Sequence, residues 1–66
     1  MIRILGIDPG SQITGYGVID IEGNHTVHVT HGAIKLKRDA LSDKLQLLFR
    51  EINKVINEFH PAEVAI

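Results

Sequence analysis

Cysteine and tryptophan are missing altogether from this chain of 66 residues. Without a thiol there is neither a disulfide framework to staple a small fold nor a thiolate metal site. Stability must then come from packing, in a chain short enough to bury only about 60% of the surface its unfolded form exposes. Neither sign of charge dominates: seven basic side chains face eight acidic ones, for a net charge of -1. The basic footprint that marks most nucleic-acid binders shrinks to Lys35-Leu36-Lys37-Arg38, which Asp39 follows at once, and this run reads as a solvated loop. Long apolar runs are absent as well. Met1-Ile2-Arg3-Ile4-Leu5 is broken by Gly6, Asp8 and Pro9 too early for a signal-peptide core or a membrane span. A soluble, cytoplasmic protein with no membrane partner is expected, and the lack of cysteine agrees with a reducing compartment.

What is present is a set of short β signals followed by one helix signal. Ile2 to Ile7 is apolar at every position but Arg3 and Gly6, as in a strand covered on both faces. Asp8-Pro9-Gly10-Ser11 reads as a turn, with proline fixing φ at its second position and glycine supplying a positive φ at its third. A second strand is expected over Thr14 to Ile21, a hairpin turn at Glu22-Gly23-Asn24, and a third strand over His25 to Ile34. Strict alternation places Val27, Val29 and Ala33 on one face of that strand, with Thr26, His28 and Thr30 on the other. Three strands joined by short turns form an antiparallel meander.

From Leu41 the period lengthens. Leu41, Leu45, Leu48, Ile52, Val55, Ile56 and Phe59 recur at three- and four-residue intervals and define one apolar stripe. Asp39 or Ser42 is expected to cap this helix and Pro61 to end it. Ala62 to Ile66 then begins a fourth strand, and a strand–helix–strand crossover makes it parallel to an earlier strand. The expected class is α/β, in the order β-β-β-α-β.

Asp8 is the leading chemical candidate. A carboxylate where a buried strand meets a turn is solvent-accessible yet rigidly held, which suits a hard cation such as Mg²⁺. Its structural alternative is an Asx-turn, in which Asp8 accepts the backbone N–H of Gly10 or Ser11. The glycines at 10, 15 and 17 with Ser11 and Thr14 offer small residues near it. They match neither phosphate-binding glycine fingerprint, and they lead into a strand rather than a helix. Gly15 and Gly17 inside a strand mark either close approach of a ligand or backbone, or a twisted strand. The histidines at 25, 28 and 31 would share a face on a helix. On a strand His28 points away from the other two, which argues against zinc.

Taken together, Gly6-Ile7-Asp8-Pro9-Gly10-Ser11 and Thr14-Gly15-Tyr16-Gly17-Val18-Ile19 closely resemble the opening of the RuvC Holliday junction resolvases. The amphipathic helix after Leu41 and the passage Phe59-His60-Pro61 into Glu63-Val64-Ala65-Ile66 agree with it. The resemblance implies a ribonuclease H-like fold, of which residues 1–66 form the N-terminal part of a nuclease domain. It implies that Asp8 is one of four carboxylates binding two Mg²⁺ ions, with Mn²⁺ as a substitute. The implied activity is hydrolysis of phosphodiesters in a four-way DNA junction, in recombination and repair, by a homodimer that works alongside branch-migration proteins. Gly10, Ser11 and Thr14 would be neighbours of the metal or phosphate. The second acid of that family follows the strand that closes this sequence, so the 66 residues alone are expected to lack activity and to retain no metal.

Two other classes remain open at this stage. Actin-like and sugar-kinase ATPases also open with a strand, an aspartate and a glycine-containing turn, although Pro9 and Thr14-Gly15-Tyr16-Gly17 depart from their pattern. A non-catalytic, self-associating remnant is the third, because one helix covers only one face of such a sheet.

Overall fold

In the computed structural model, which describes residues 1–36 and 40–66, five elements follow in order. These are β1 (Ile2–Asp8), β2 (Ile13–Glu22), β3 (His25–Lys35), α1 (Leu41–Phe59) and β4 (Glu63–Ala65). They form a four-stranded sheet of order β3-β2-β1-β4. The first three strands are antiparallel neighbours, and β4 runs parallel to β1. This is the α/β arrangement expected, with strand ends displaced by a residue or two.

Register decides which side chains meet. Arg3, Leu5 and Ile7 stand opposite Asp20, Val18 and Tyr16 on one face of the β1–β2 ladder. Leu5 and Val18 are wholly buried there and join Val55 of α1, with Ile7, Tyr16, Val29, Ile52, Ile56 and Phe59 packed around them. Fully burying one such aliphatic side chain stabilises by about 1.5–3 kcal/mol. Among the described residues only Leu5, Val18, Ile34, Leu36 and Val55 are buried hydrophobics, so the core is thin. The opposite face carries Ile4, Gly6 and Asp8 of β1 against Ile19, Gly17 and Gly15 of β2, and α1 does not cover it.

The apolar stripe of α1 is used along only part of its length. Residues 52–59 pack on the sheet, whereas Leu41 and Leu45 of the stripe are 71% and 55% exposed, and Phe49, which lies off the stripe, is 74% exposed. The molecule is accordingly elongated, at 43 × 18 × 15 Å. The helix begins without a side-chain cap. Ala40 is the N-cap, its carbonyl accepting the N–H groups of Asp43 and Lys44 at 3.0 and 3.1 Å. Ser42 therefore lies inside the first turn and does not cap it, and Asp39 falls outside the described residues. At the far end His60 takes a left-handed conformation (φ 49°, ψ 56°) and donates its N–H to the Ile56 carbonyl at 2.8 Å, just before Pro61. Ala62 then donates to the Arg3 carbonyl at 2.8 Å and steers the chain into β4.

Two local expectations are corrected. The glycine with positive φ is Gly23 (58°), in the β2–β3 turn, rather than Gly10. Gly10 is required for a different reason, since a Cβ there would collide with the backbone carbonyl of Ile13. The second correction concerns β3. Val18 pairs with Thr30 but Ile19 pairs with His28, so Val29 is an extra residue in a β-bulge. The bulge re-phases the strand. Thr30 joins Val18 on the helix side, Val29 packs against the core, and His31 and Ala33 stand beside Gly17 and Gly15 on the open side. His28, opposite Ile19, is on that open side too, so it shares a face with His31.

Candidate active site

β1 is apolar up to Asp8 apart from Arg3 and Gly6, and Pro9, which has no N–H to give to a ladder, ends it there. Asp8 is thus the last strand residue, paired with Gly15 and solvent-exposed. It borders a shallow groove of about 510 Å³ whose lining includes Gly6, Gly15, Gly17, Ala65 and Ile66. The floor is bare backbone. A Cβ on Gly6 or Gly17 would meet nothing closer than 3.9 Å, and one on Gly15 would meet nothing within 4 Å. The internal packing of these residues therefore does not require the three glycines, and the room they leave lies next to the carboxylate.

The Asx-turn alternative is not what forms. The Gly10 N–H is directed to Thr14 Oγ1, at a long 3.4 Å, and among the described residues no hydrogen bond reaches the Asp8 carboxylate. The turn residues named beside Asp8 are placed elsewhere. Thr14 is fully buried opposite Ile34, on the helix side of the sheet. Gly10 and Ser11 line a crevice against Leu41, Lys44 and Leu45 of α1, where Lys44 Nζ donates to the Ser11 carbonyl at 3.1 Å. Asp8 and the glycine floor come together; Gly10, Ser11 and Thr14 do not join them in the groove. Lys44 as an anchor of this loop was invisible at sequence level, because it depends on where the helix lands.

The donor set at Asp8 is a single carboxylate. Among the described residues no group of three His, Cys, Asp or Glu side chains gathers to hold a metal ion. Hard divalent cations take one or two protein carboxylates together with waters and phosphate oxygens. Asp8 fits as one such ligand, and a complete centre needs others. The Arg3–Asp20 ion pair lies on the helix-covered face of the sheet and cannot contribute to this groove. None of the described helices is long and apolar enough to cross a membrane.

A three-stranded meander, a crossover helix and a fourth strand parallel to the first, with an acid at the end of the first strand, define the N-terminal portion of a ribonuclease H-like domain. Residues 4–66 match the family model described as crossover junction endodeoxyribonuclease RuvC, and the chain belongs to that family. Similar relatives of that name include the protein from Psychromonas ingrahamii, 44% identical over 66 residues and matching 100% of this chain. Those from Syntrophotalea carbinolica and from Neisseria meningitidis serogroup B are 47% and 44% identical, each matching 98% of it. The chain spans 38%, 41% and 37% of these three relatives, respectively. Family membership decides against the nucleotide-binding alternative.

Proposed function

We propose that this chain supplies the first-strand carboxylate of a divalent-metal nuclease whose substrate is a four-way DNA junction. The observation that carries the proposal is Asp8 itself: exposed, free of hydrogen bonds among the described residues, and set on rigid backbone above a glycine floor. Its relatives are named crossover junction endodeoxyribonucleases, and a phosphodiester backbone needs the close approach that a side-chain-free floor permits. Mg²⁺, or Mn²⁺ in its place, would polarise the scissile phosphate and lower the pKa of an attacking water. Asp8 would fix the position of that ion, while Gly6, Gly15 and Gly17 admit the strand. One carboxylate leaves an ion mostly hydrated, so the 66 residues alone neither retain the metal nor cleave DNA. Junction binding, a homodimeric assembly, action beside branch-migration proteins and a cytoplasmic setting belong to the same proposal.

The test is a graft. This segment replaces its matched counterpart in the Psychromonas ingrahamii relative, and junction cleavage is measured with Mg²⁺. Asp8→Asn should lower the cleavage rate by on the order of 10²-fold or more and leave junction binding within a few-fold. Equal loss of binding would instead make Asp8 a structural residue. The isolated 66-residue chain should give no metal-dependent nicking, and nicking abolished by Asp8→Asn would overturn the incomplete-site proposal.

A further inference from the structure

The bulge at Val29 has a chemical result on the open face of β3. His28 and His31, which an uninterrupted strand would send to opposite faces, are brought together with His28 Nε2 and His31 Nδ1 2.9 Å apart. Their ring centroids are 5.1 Å apart with a 55° tilt, and both side chains are exposed. Neither ring is tied to a carboxylate or a backbone carbonyl among the described residues; each has the other as its hydrogen-bonded partner.

We propose that His28 and His31 form a two-imidazole chelate for a late first-row divalent cation, distinct from the Asp8 centre. Imidazole nitrogens bind such ions at about 2.0–2.1 Å. Two nitrogens 2.9 Å apart would then subtend about 90° at the metal, the cis angle of square-planar or octahedral coordination. Cu²⁺ and Ni²⁺ suit that angle with nitrogen ligands, and waters complete the shell. Binding replaces the hydrogen shared between the two rings: the donor ring changes tautomer, its proton moving through solvent exchange to its other ring nitrogen, so both ligands are neutral imidazoles. The two sites cannot share one ion. His31 stands opposite Gly17, and Asp8 opposite Gly15 on the far side of β2. That places them two strands and two residues apart, roughly 10 Å or more at ordinary sheet spacings. The donors also differ in kind, a carboxylate favouring Mg²⁺ and imidazoles favouring softer ions.

β3 is an edge strand, so the chelate is reachable from the side of the sheet as well as from above. His25, opposite Glu22 on the other side of the bulge, falls on the opposite face, and His60 belongs to the helix terminus. They provide internal controls.

The experiment is calorimetric titration of the chain with NiCl₂ at neutral pH, repeated for His28→Gln, His31→Gln and His25→Gln. Circular dichroism checks that each variant keeps the wild-type fold. One equivalent of Ni²⁺ is expected, with paramagnetic broadening starting at the His28 and His31 imidazole signals. His28→Gln and His31→Gln should each weaken binding roughly tenfold or more, and His25→Gln should leave it unchanged. The proposal fails if His28→Gln or His31→Gln binds as wild type does. Equal weakening by His25→Gln, or broadening that starts at His25 or His60, would overturn it as well.

Discussion

Arg3 and Asp20 face each other across the β1–β2 ladder and close a two-point ion pair, Nε to Oδ1 at 2.8 Å and Nη2 to Oδ2 at 2.9 Å. The third guanidinium nitrogen, Nη1, donates to the Phe59 carbonyl at 3.1 Å. One side chain thus ties two strands to the C-terminal end of α1, where unpaired helix carbonyls attract positive charge. Only the planar fork of arginine serves all three acceptors at once. Arg3→Lys should therefore lower the melting temperature although the charge is kept, and Asp20→Asn should lower it too. A melt of either variant indistinguishable from wild type would show that the clamp is ornamental.

The same pair sets an acid limit. Hydrogen bonds from Arg3 hold the Asp20 carboxyl below its ordinary range, with burial opposing and the charges of Arg3 and the N-terminus assisting. A carboxyl depressed in the folded state contributes stability that is fully present above its unfolded value of about 4. That contribution is lost as the pH falls through the lower folded value. Urea midpoints measured down a pH series should drop below about pH 4 in the wild type, and Asp20→Asn should flatten the part of the drop that this carboxyl causes.

Gly10 and Gly32 are both crowded, but by different atoms. A Cβ on Gly10 meets the Ile13 backbone carbonyl, which cannot move without opening the β1–β2 turn. A Cβ on Gly32 meets the Tyr16 ring, with Oη at 2.5 Å, and a side chain can turn aside. Each alanine substitution should destabilise by about 1–3 kcal/mol. Only the cost at Gly32 should shrink in a Tyr16→Leu background, with a coupling of about 0.5–3 kcal/mol in a double-mutant cycle. Equal costs in both backgrounds would mean that Tyr16 does not crowd Gly32.

Much of the fold could be read from hydrophobic spacing alone. β1, β2 and α1 form where apolar residues recur, although burial follows the pattern only in part. The α1 stripe packs on the sheet from Ile52 to Phe59 while Leu41 and Leu45 stay exposed, and β1, apolar on both sides, has one face that the helix leaves open. β3 resisted because a bulge is decided by pairing: nothing in His28-Val29-Thr30-His31 marks Val29 as the residue left over, yet its insertion exchanges faces for half the strand. Gly10 was recognised as necessary for the wrong reason, since a close backbone contact and a positive φ leave the same residue in a sequence. Asp8 was legible because it interrupts an apolar run. Thr14, equally conspicuous beside it, points to the other face of the sheet, which only the register shows.

The N-terminal half of α1 offers a surface to other chains. Leu45, Leu48, Phe49 and Ile52 border an apolar groove of about 290 Å³ that Ile7, Pro9 and Ile66 complete. An isolated chain with this groove open and an edge strand at β3 should associate with itself. Sedimentation equilibrium should report a species larger than 7.3 kDa at micromolar concentration. The double substitution Leu45→Glu and Phe49→Ser should restore the monomer without lowering helicity, since Leu45 and Phe49 are largely exposed. A wild-type monomer would rule out self-association through this surface.

Gly15 separates folding from function most cleanly. It pairs with Asp8 and lies in the glycine floor, and a Cβ on it would have no heavy atom within 4 Å, so a methyl group there enters open space. Strand glycines cost roughly 0.5–1 kcal/mol relative to alanine, and Gly15→Ala should leave the stability of the chain unchanged or slightly raised. In the grafted nuclease the same methyl stands beside the carboxylate, where a DNA backbone would have to approach. Gly15→Ala should therefore slow junction cleavage about tenfold or more, equivalent to about 1.4 kcal/mol of barrier, with the melting temperature intact. Gly15→Val should slow it further. If both variants cleave at the wild-type rate, the groove above Gly15 is not the path of the scissile strand, and Asp8 must meet its substrate from another side.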